Sequence, residues 1–432
     1  EFQISTTNAK YNYNPFELKL NATGTKTGLQ TTEFTINEEI YSTAWFALKP
    51  DFEYGVGIQA KNIRIKEYLK YFMHHYTANE FGGKATIDVD YDSHKGLAGN
   101  LKSDKFRFGT MNEIDANTTF SGNLDEVRFR DFNIGKEGKT FFQLRGDFGV
   151  FPEFTFDLSA DVLQMDLQDV LPGYSGRVNS GISYFKDEEH NLLMLSLKGD
   201  DLNLNGLKVD SVRVDAAQTE TELEVLKFTA SAKKLYEMSA GGKIGYNFFS
   251  DEKSPSDDTL KVNFSGDLLK FLSGYTSMID EARSSATLSL DLGMGEEGLS
   301  VTSGNFYLKK GEMTFPGQIE KADKIYVKFK IEDNVLNFTK FKGRMGEGRV
   351  YVTNKHDNDD KDLKLGMLNL GKLYVHTNEN GLLFHMPWYM PVGSVAKVLI
   401  KGRNTDDLVV SGPFEDLHIV GDVVASNGDA IY

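Results

Sequence analysis

Apolar and polar residues alternate with a period of two along most of the chain, the pattern of strands that bury one face and expose the other. The alternation is strict in the segments 154–160, 288–292 and 325–331. Stretches with the 3.6-residue period of an amphipathic helix are few. One covers residues 65–73, and a second is predicted from about Leu268 to about Ala282. The sequence therefore predicts an all-β protein with short helical inserts.

Similar strings recur at regular intervals, which is the mark of an array of repeats. Leu69, Leu171 and Leu272 close the three matching helical segments and lie 102 and 101 residues apart. Two further blocks recur in the same order, at 101–108, 197–204 and 301–308 and at 127–129, 226–228 and 336–338. We therefore predict a repeat of about 100 residues within one continuous groove. The predicted pieces are a partial first repeat 1–51, the repeats 52–153, 154–259 and 260–362, and a partial last repeat 363–432.

A unit of this size does not easily close its own core, so stacked units are expected to pair edge to edge into one sheet with an apolar face. That face either meets a second sheet in a dry sandwich or solenoid, or curls into an open trough that calls for a ligand. The pattern leaves both open. Large inward residues tilt the choice towards the trough, because facing sheets usually alternate large and small side chains. The candidate lining residues are Phe154, Phe156, Leu158, Leu202, Leu204, Phe264, Leu288, Leu290, Phe306, Leu308, Val327, Phe329 and Phe338.

Composition and charge narrow the function classes. The formal net charge of −15 argues against nucleic acid as a partner, since no basic stripe is present to neutralise phosphates. No window approaches the roughly 18 to 20 apolar residues of a membrane helix, and no signal pattern opens the chain. Both ends are expected to be cuts through a longer protein. The absence of cysteine removes disulfides and thiol chemistry.

No motif predicts catalysis, a cofactor or a metal. The pair His74-His75 lacks a third ligand in sequence reach. The acidic segment 357–362 resembles a calcium loop, but it lacks the required Gly and places Lys361 where an oxygen ligand belongs. We therefore expect a protein that is not an enzyme. An Asp/Glu glycosidase built on a β-solenoid is the enzymatic alternative.

The segment 382–392 is apolar on every side and contains two prolines, which exclude a central strand. It is interpreted as a loop that plugs the groove or contacts a membrane or partner, and the alternative is a long loop folded over the core. The candidate contact residues are Phe384, Met386, Trp388 and Met390.

The Gly-spaced strings 411–421, which run on to 426–428, and 197–207 resemble the AsmA-like superfamily, in particular its TamB-type bridge-like lipid transfer proteins. The similarity extends over most of the chain from Phe34 onward. It implies an elongated U-shaped β-groove, or β-taco, that lies in the periplasm. It also implies an inner-membrane anchor outside this chain and an outer-membrane partner of the barrel-assembly type. The chain departs from the family in its helical inserts near Leu69 and Leu272, and the family offers no catalytic residues to carry over.

Three hypotheses follow. The leading one is a non-enzymatic groove that carries phospholipid acyl chains between the inner and outer membranes of a Gram-negative-type envelope. The second is a chaperone-like groove for outer-membrane protein assembly, and the third is a structural or adhesive β-solenoid with a dry core. Glu at Phe156 or Phe264 is expected to unfold a solenoid but chiefly to block lipid in a groove.

Overall fold

A computed structural model describes most of the chain, and everything stated below refers to these residues. They are 1–11, 14–48, 51–73, 75–149, 153–204, 206–246, 256–274, 279–295, 298–315, 321–332, 335–354, 369–378, 380, 382–386, 396–400, 408–413, 418–420 and 424–425. Two compact units divide the chain, unit 1 at Glu1–Lys198 and unit 2 at Gly199–Tyr432. The all-β prediction is confirmed.

Unit 1 is an antiparallel meander in which each strand pairs with the next strand along the chain, from β1 to β12. Among its described residues no pairing joins β1 to β12, so the sheet is open. Its strands are β1 Phe2–Tyr11, β2 Asn14–Thr25, β3 Gly28–Ile36, β4 Ile40–Ala47, β5 Glu53–Arg64, β6 Phe81–Asp92, β7 Gly96–Phe108, β8 Ile114–Gly122, β9 Glu126–Lys136, β10 Lys139–Gly149, β11 Thr155–Asp166 and β12 Tyr174–Lys186. The boundary with unit 2 falls inside β13, Asn191–Leu204.

Unit 2 repeats the same plan. Strands β14 to β23 pair in chain order, β23 then pairs with β26 and β26 with β27, all antiparallel. Strands β24, β25 and β28 form a separate small sheet. The strands are β14 Leu207–Gln218, β15 Leu223–Ala232, β16 Tyr236–Ile244, β17 Ser256–Gly266, β18 Ala282–Gly295, β19 Gly298–Met313, β20 Ala322–Glu332, β21 Val335–Met345, β22 Gly348–Asn354, β23 Asn369–Thr377, β24 Leu382–Met386, β25 Ala396–Ile400, β26 Leu408–Pro413, β27 His418–Val420 and β28 Val424–Ala425.

Helices follow β5, β11 and β17, that is, every sixth strand. They are α1 Ile65–Phe72 with the short α2 His75–Asn79, then α3 Leu167–Val170 and α4 Leu268–Ser273. The predicted α1 segment agrees within one residue. The spacing of six strands accounts for the recurrence seen in the sequence, while the repeat length of about 100 residues and its boundaries stay predictions.

The second predicted helix is wrong in length. The helix was expected to continue to about Ala282, but α4 ends at Ser273. The N–H of Gly274 donates a hydrogen bond to the carbonyl of Phe271 at 3.1 Å and ends the helix there. Downstream, the N–H of Asp280 bonds the carbonyl of Thr314 at 3.0 Å. Asp280, just before β18, is therefore already paired with the residue that follows β19, and β18 itself begins at Ala282.

Bulges interrupt the ladders near the end of β5, which α1 follows, and near the end of β19, which leads to β20. The register shifts between Ala60 and Ile63 in β5, and again between Leu308 and Gly311 in β19. A residue in the left-handed conformation accompanies each shift, Asn62 at φ 56° and Lys310 at φ 52°. An inserted residue of this kind changes the face to which the following side chains point.

Candidate functional site

Unit 2 carries a continuous row of apolar side chains across eight neighbouring strands, β14 to β21. Each member lies directly opposite the next in the strand register, so the row runs perpendicular to the strands. With about 4.8 Å between strands, its seven steps span about 34 Å. This central row consists of Val212, Ala230, Met238, Phe264, Leu288, Phe306, Phe329 and Phe338.

Two more rows flank the central row on the same face, because residues two positions apart along a strand share a face. The first, on the side of α4, runs through Ala232, Tyr236, Gly266, Ala286, Leu308, Val327, Phe341, Val352 and Val375. The second runs through Val214, Phe228, Ala240, Val262, Leu290, Gly304, Ile331 and Leu336. Together the three rows make one broad apolar face.

Helix α4 covers part of this face. The ring of Phe271 meets Tyr236 edge-on at 5.0 Å and Phe264 at 5.7 Å, and Tyr236 stacks on Phe264 at 6.1 Å. Phe264 is consequently only 4% exposed. Further along the row, Phe306 stacks on Phe329 at 4.6 Å. In this part of unit 2 the apolar side chains are therefore covered mainly by α4 and by one another.

Unit 1 has apolar rows of the same design on β5 to β12. One runs through Val56, Tyr91, Leu97, Gly122, Val127, Phe148 and Phe156. The next runs through Ile58, Val89, Gly99, Phe120, Phe129, Gly146, Leu158 and Tyr184. A third runs through Ile40, Ala60, Ile87, Leu101, Thr118, Phe132, Leu144, Ala160 and Ile182.

The rows of unit 1 are more open than those of unit 2. Val56 is 41% and Ile58 40% exposed, and rings such as Phe120, Phe132 and Phe156 are half-buried. The fully buried members of the three rows are Ala60, Thr118 and Ala160. Large apolar side chains that stay half-exposed along a whole sheet face are unusual in a soluble protein and mark a binding surface.

Glycines in the rows let neighbouring side chains lie across the sheet. A Cβ on Gly99 would stand 2.6 Å from Cζ of Phe120, and one on Gly304 would stand 2.7 Å from Cδ2 of Leu290. Each apolar side chain thus covers the backbone of the adjacent strand. Glycine at these positions keeps the apolar surface smooth, and any larger residue would displace the side chain that covers it.

The buried apolar clusters in each unit join neighbouring strands rather than two facing sheets. In unit 2 one cluster draws on β15 to β21 and α4, and another on β18 to β23. In unit 1 a cluster of Ala60, Ile63 and Ala85 packs against α1 through Ile65 and Tyr68. A sandwich would instead bring together strands far apart in the pairing order. Within the described residues of each unit, helices pack against the apolar face, and in unit 2 the small sheet of β24, β25 and β28 contacts the long sheet where β24 meets β22.

Helix α1 is tied to the edge of unit 1 by Tyr68. The Tyr68 hydroxyl donates to Oε2 of Glu39 at 2.7 Å. Burial of the phenol, together with this hydrogen bond, raises the pKa of Tyr68 well above its ordinary value. The neutral phenol is therefore the form that the folded protein favours.

The opposite face of each sheet is polar. In unit 1, Arg128 lies opposite Asp147 and donates to it from Nε at 2.6 Å. In unit 2 a shallow cavity of about 660 Å³ lies over the backbone of the central row. Its other walls are residues such as Ser265, Thr287 and Asn305, and no member of the two flanking apolar rows lines it. This cavity therefore opens on the polar side and is separate from the apolar face.

The structure brings most of the predicted lining residues together. Phe264, Leu288, Phe306, Phe329 and Phe338 share the central row, while Leu290, Leu308 and Val327 lie in its flanking rows, as the register above shows. Leu202 is buried and Leu204 half-buried in β13. In unit 1, Phe156 and Leu158 occupy neighbouring rows.

Phe154 departs from its predicted place in a strand. Strand β11 begins at Thr155, and Phe154 precedes it with 58% of its surface exposed. Its ring still stacks on Phe148 at 5.9 Å, and Phe148 lies opposite Phe156. Phe154 thus adds to the apolar surface around Phe148 although it lies outside the strand.

The predicted plug segment is only partly within the described residues. Its first half is strand β24, which contains Phe384 and Met386 and pairs with β25, whereas Trp388 and Met390 lie outside the described residues. His74 and the acidic segment 357–362 also lie outside them. Among the described residues, no group of three or more His, Asp or Glu side chains is placed to hold a metal ion. None of the described helices has the length and hydropathy needed to cross a membrane.

Sequence reasoning missed several members of the apolar face. Val212, Ala230 and Met238 extend the central row, and Phe120, Phe129 and Phe148 belong to the rows of unit 1. Alternation within each strand signals their face, but the bulges hide which of them stand opposite one another. Comparisons of the chain with family models, curated proteins and solved structures give no match.

Proposed function

We propose that this chain is a segment of a periplasmic groove that carries phospholipid acyl chains, as its resemblance to AsmA-like and TamB-type proteins implies. The observation that carries the proposal is the set of apolar rows across β5 to β12 and β14 to β21, which are half-exposed in unit 1 and whose buried clusters join neighbouring strands and helices. A continuous apolar strip with a polar reverse side suits a ligand that is apolar, long and flexible.

The energetics of such a ligand are favourable. Each buried methylene contributes about 0.8 kcal/mol, so ten methylenes laid along one row gain about 8 kcal/mol before the cost of ordering the chain. Phe and Leu side chains offer no directional polar contacts to the acyl chain. The rows therefore select for acyl length and not for a head group.

The finer architecture belongs to the same proposal. We take the sheet to be a U-shaped β-taco built from repeats of about 100 residues, with an inner-membrane anchor outside this chain and an outer-membrane partner of the barrel-assembly type. The proposed groove works without catalysis or a cofactor. Helices α1 and α4 lie at the edge of the apolar face and would limit how far an acyl chain extends there.

Lipid analysis tests the proposal. The protein is purified without detergent and extracted with organic solvent, and the extract is examined by mass spectrometry. We expect phospholipid in stoichiometric amount, with a β-protein of similar size carried through the same steps as control. An extract free of lipid would count against the groove. Bound peptides in place of lipid would support the chaperone alternative.

A further inference from the structure

Unit 2 has a second concave feature on its polar side, near the end of the strands where α4 lies. A cavity of about 780 Å³ opens between β18, β19, β20 and β21. Five cationic side chains line it, in a protein whose net charge is −15. They are Arg283, Lys309, Lys310, Lys324 and Lys342. We call this the basic cavity of unit 2.

The one carboxylate that lines the basic cavity is already neutralised. Oε2 of Glu312 accepts hydrogen bonds from Nε of Arg283 at 2.9 Å and from Lys321. Within the described part of the chain, none of the four lining lysines forms an ion pair with a carboxylate. The cavity therefore keeps an excess of positive charge.

Two β-bulges build the cavity. Lys310 in β19 and Lys324 in β20 both adopt the left-handed conformation, at φ 52° and 53°. Register shifts accompany both, between Leu308 and Gly311 and between Asp323 and Tyr326. The bulges leave both Lys309 and Lys310 exposed. Lysine is an uncommon residue for this backbone conformation, and strained positions of this kind gather at functional sites.

Two of the lysines lie over aromatic rings. Nζ of Lys309 lies 5.7 Å from the ring centre of Tyr307, and Nζ of Lys342 lies 5.8 Å from that of Tyr326. The two rings meet edge-on at 5.4 Å. A cation over a ring is attracted but keeps its charge. The ammonium groups therefore keep their charge and are able to bind an anion.

Unit 1 has a matching basic cavity of about 690 Å³, again beside a helix and a bulge. Its bulge residues Asn62 and Lys105 have φ 56° and 53°. It contains the carboxylates Asp104 and Glu113, and Asp104 is already paired with Lys102 at 2.9 Å. Its five cations are Arg64, Lys66, Lys84, Lys105 and Arg107.

We propose that the basic cavity of unit 2 binds phosphate-bearing anions, and that the basic cavity of unit 1 is a second site of the same kind. Phosphate suits both because its several charged oxygens accept bonds from more than one cation, and lysine is a common phosphate ligand. Both free phosphate compounds and lipid head groups carry this chemistry. The proposal is independent of acyl-chain binding, since the cavity of unit 2 lies on the polar side of the sheet.

The test uses the full chain and two probes at low salt, where screening is weakest. One arm titrates inorganic pyrophosphate by isothermal calorimetry. The other measures co-sedimentation with vesicles of phosphatidylglycerol or of phosphatidylcholine. The test variant is K310G/K324G, in which glycine suits the positive φ and preserves the fold. The control is K233Q/K234G, which removes two exposed lysines outside both cavities, one of them at φ 62°.

We expect two equivalents of pyrophosphate for the wild type and the control and one for the test variant. A site for lipid head groups would instead show preferential binding to phosphatidylglycerol vesicles that the test variant weakens about tenfold, as expected for two lost charge contacts. Pyrophosphate binding without vesicle binding assigns the site to soluble anions. The proposal is overturned if neither probe binds, or if the control loses as much binding as the test variant.

Discussion

Glutamate at two positions of the apolar face should have opposite consequences. Phe156 in unit 1 is half-buried, whereas Phe264 in unit 2 is 4% exposed beneath α4. The sequence alone predicts the same outcome for both. The structure predicts that F156E folds and that F264E unfolds unit 2, and the proposed lipid groove predicts that folded F156E loses its lipid.

The magnitudes follow from the surroundings of each ring. Truncating a buried Phe costs about 3–5 kcal/mol, and an unpaired buried carboxylate adds several more. For Phe264, packed against Tyr236 and Phe271, the total approaches the whole stability of a domain, which is about 5–15 kcal/mol. At Phe156 the rings of Phe148 and Tyr184 lie 5.0 and 5.3 Å away but solvent reaches the site. For F156E we therefore expect the free energy of unfolding to fall by about 1–2 kcal/mol.

Thermal unfolding by circular dichroism and mass spectrometry of extracted lipid together measure both effects. F185E is the matched control, because Phe185 is 41% exposed on β12 and lies opposite Asp157, on the other face from Phe156. F185E should keep both fold and lipid. The reasoning is refuted if F156E unfolds as F264E does, or if F156E and F185E retain equal amounts of lipid.

Two further predictions concern the helices at the edge of the apolar face. D267A should destabilise unit 2 by about 2–3 kcal/mol in urea unfolding, because Asp267 accepts bonds from the N–H groups of Lys270 at 3.0 Å and Ser284 at 2.6 Å. The control D166A removes a single hydrogen bond, from the N–H of Gln168 at 3.2 Å, and should lower the free energy of unfolding by about 1 kcal/mol or less. Equal losses of stability in D267A and D166A would contradict this account. The raised pKa of Tyr68 means that the folded state retains its phenol proton, so stability should fall as pH rises above about 10. Y68F should show a smaller alkaline loss in melts between about pH 9 and 11, and an unchanged loss would exclude Tyr68 as its source.

The period-two alternation of apolar and polar residues is enough to predict the strands and their apolar faces. A strand that alternates strictly has its faces fixed, and antiparallel pairing in chain order then brings Phe264, Leu288 and Phe306 into one row. The register between strands was not readable, because each bulge shifts it by one or more residues.

Burial was less predictable than position. Phe156 and Phe264 have the same pattern of neighbours in the sequence, yet Phe264 is covered by Phe271 of α4 and by Tyr236. The basic cavity of unit 2 has only a faint signal in the sequence, the adjacent Lys309 and Lys310. The cavity forms where four strands meet at two bulges, and the alternation within a single strand predicts neither the bulges nor which strands are neighbours.

Site-specific photo-cross-linking in cells tests the central claim most directly. A photoreactive residue is placed at Leu144 or Leu288 on the apolar rows, and at their neighbours Arg145 or Ser289 on the polar face. An apolar face that carries acyl chains predicts lipid adducts at Leu144 and Leu288 and none at Arg145 and Ser289. Equal labelling of both faces, or an absence of lipid adducts at Leu144 and Leu288, would contradict it.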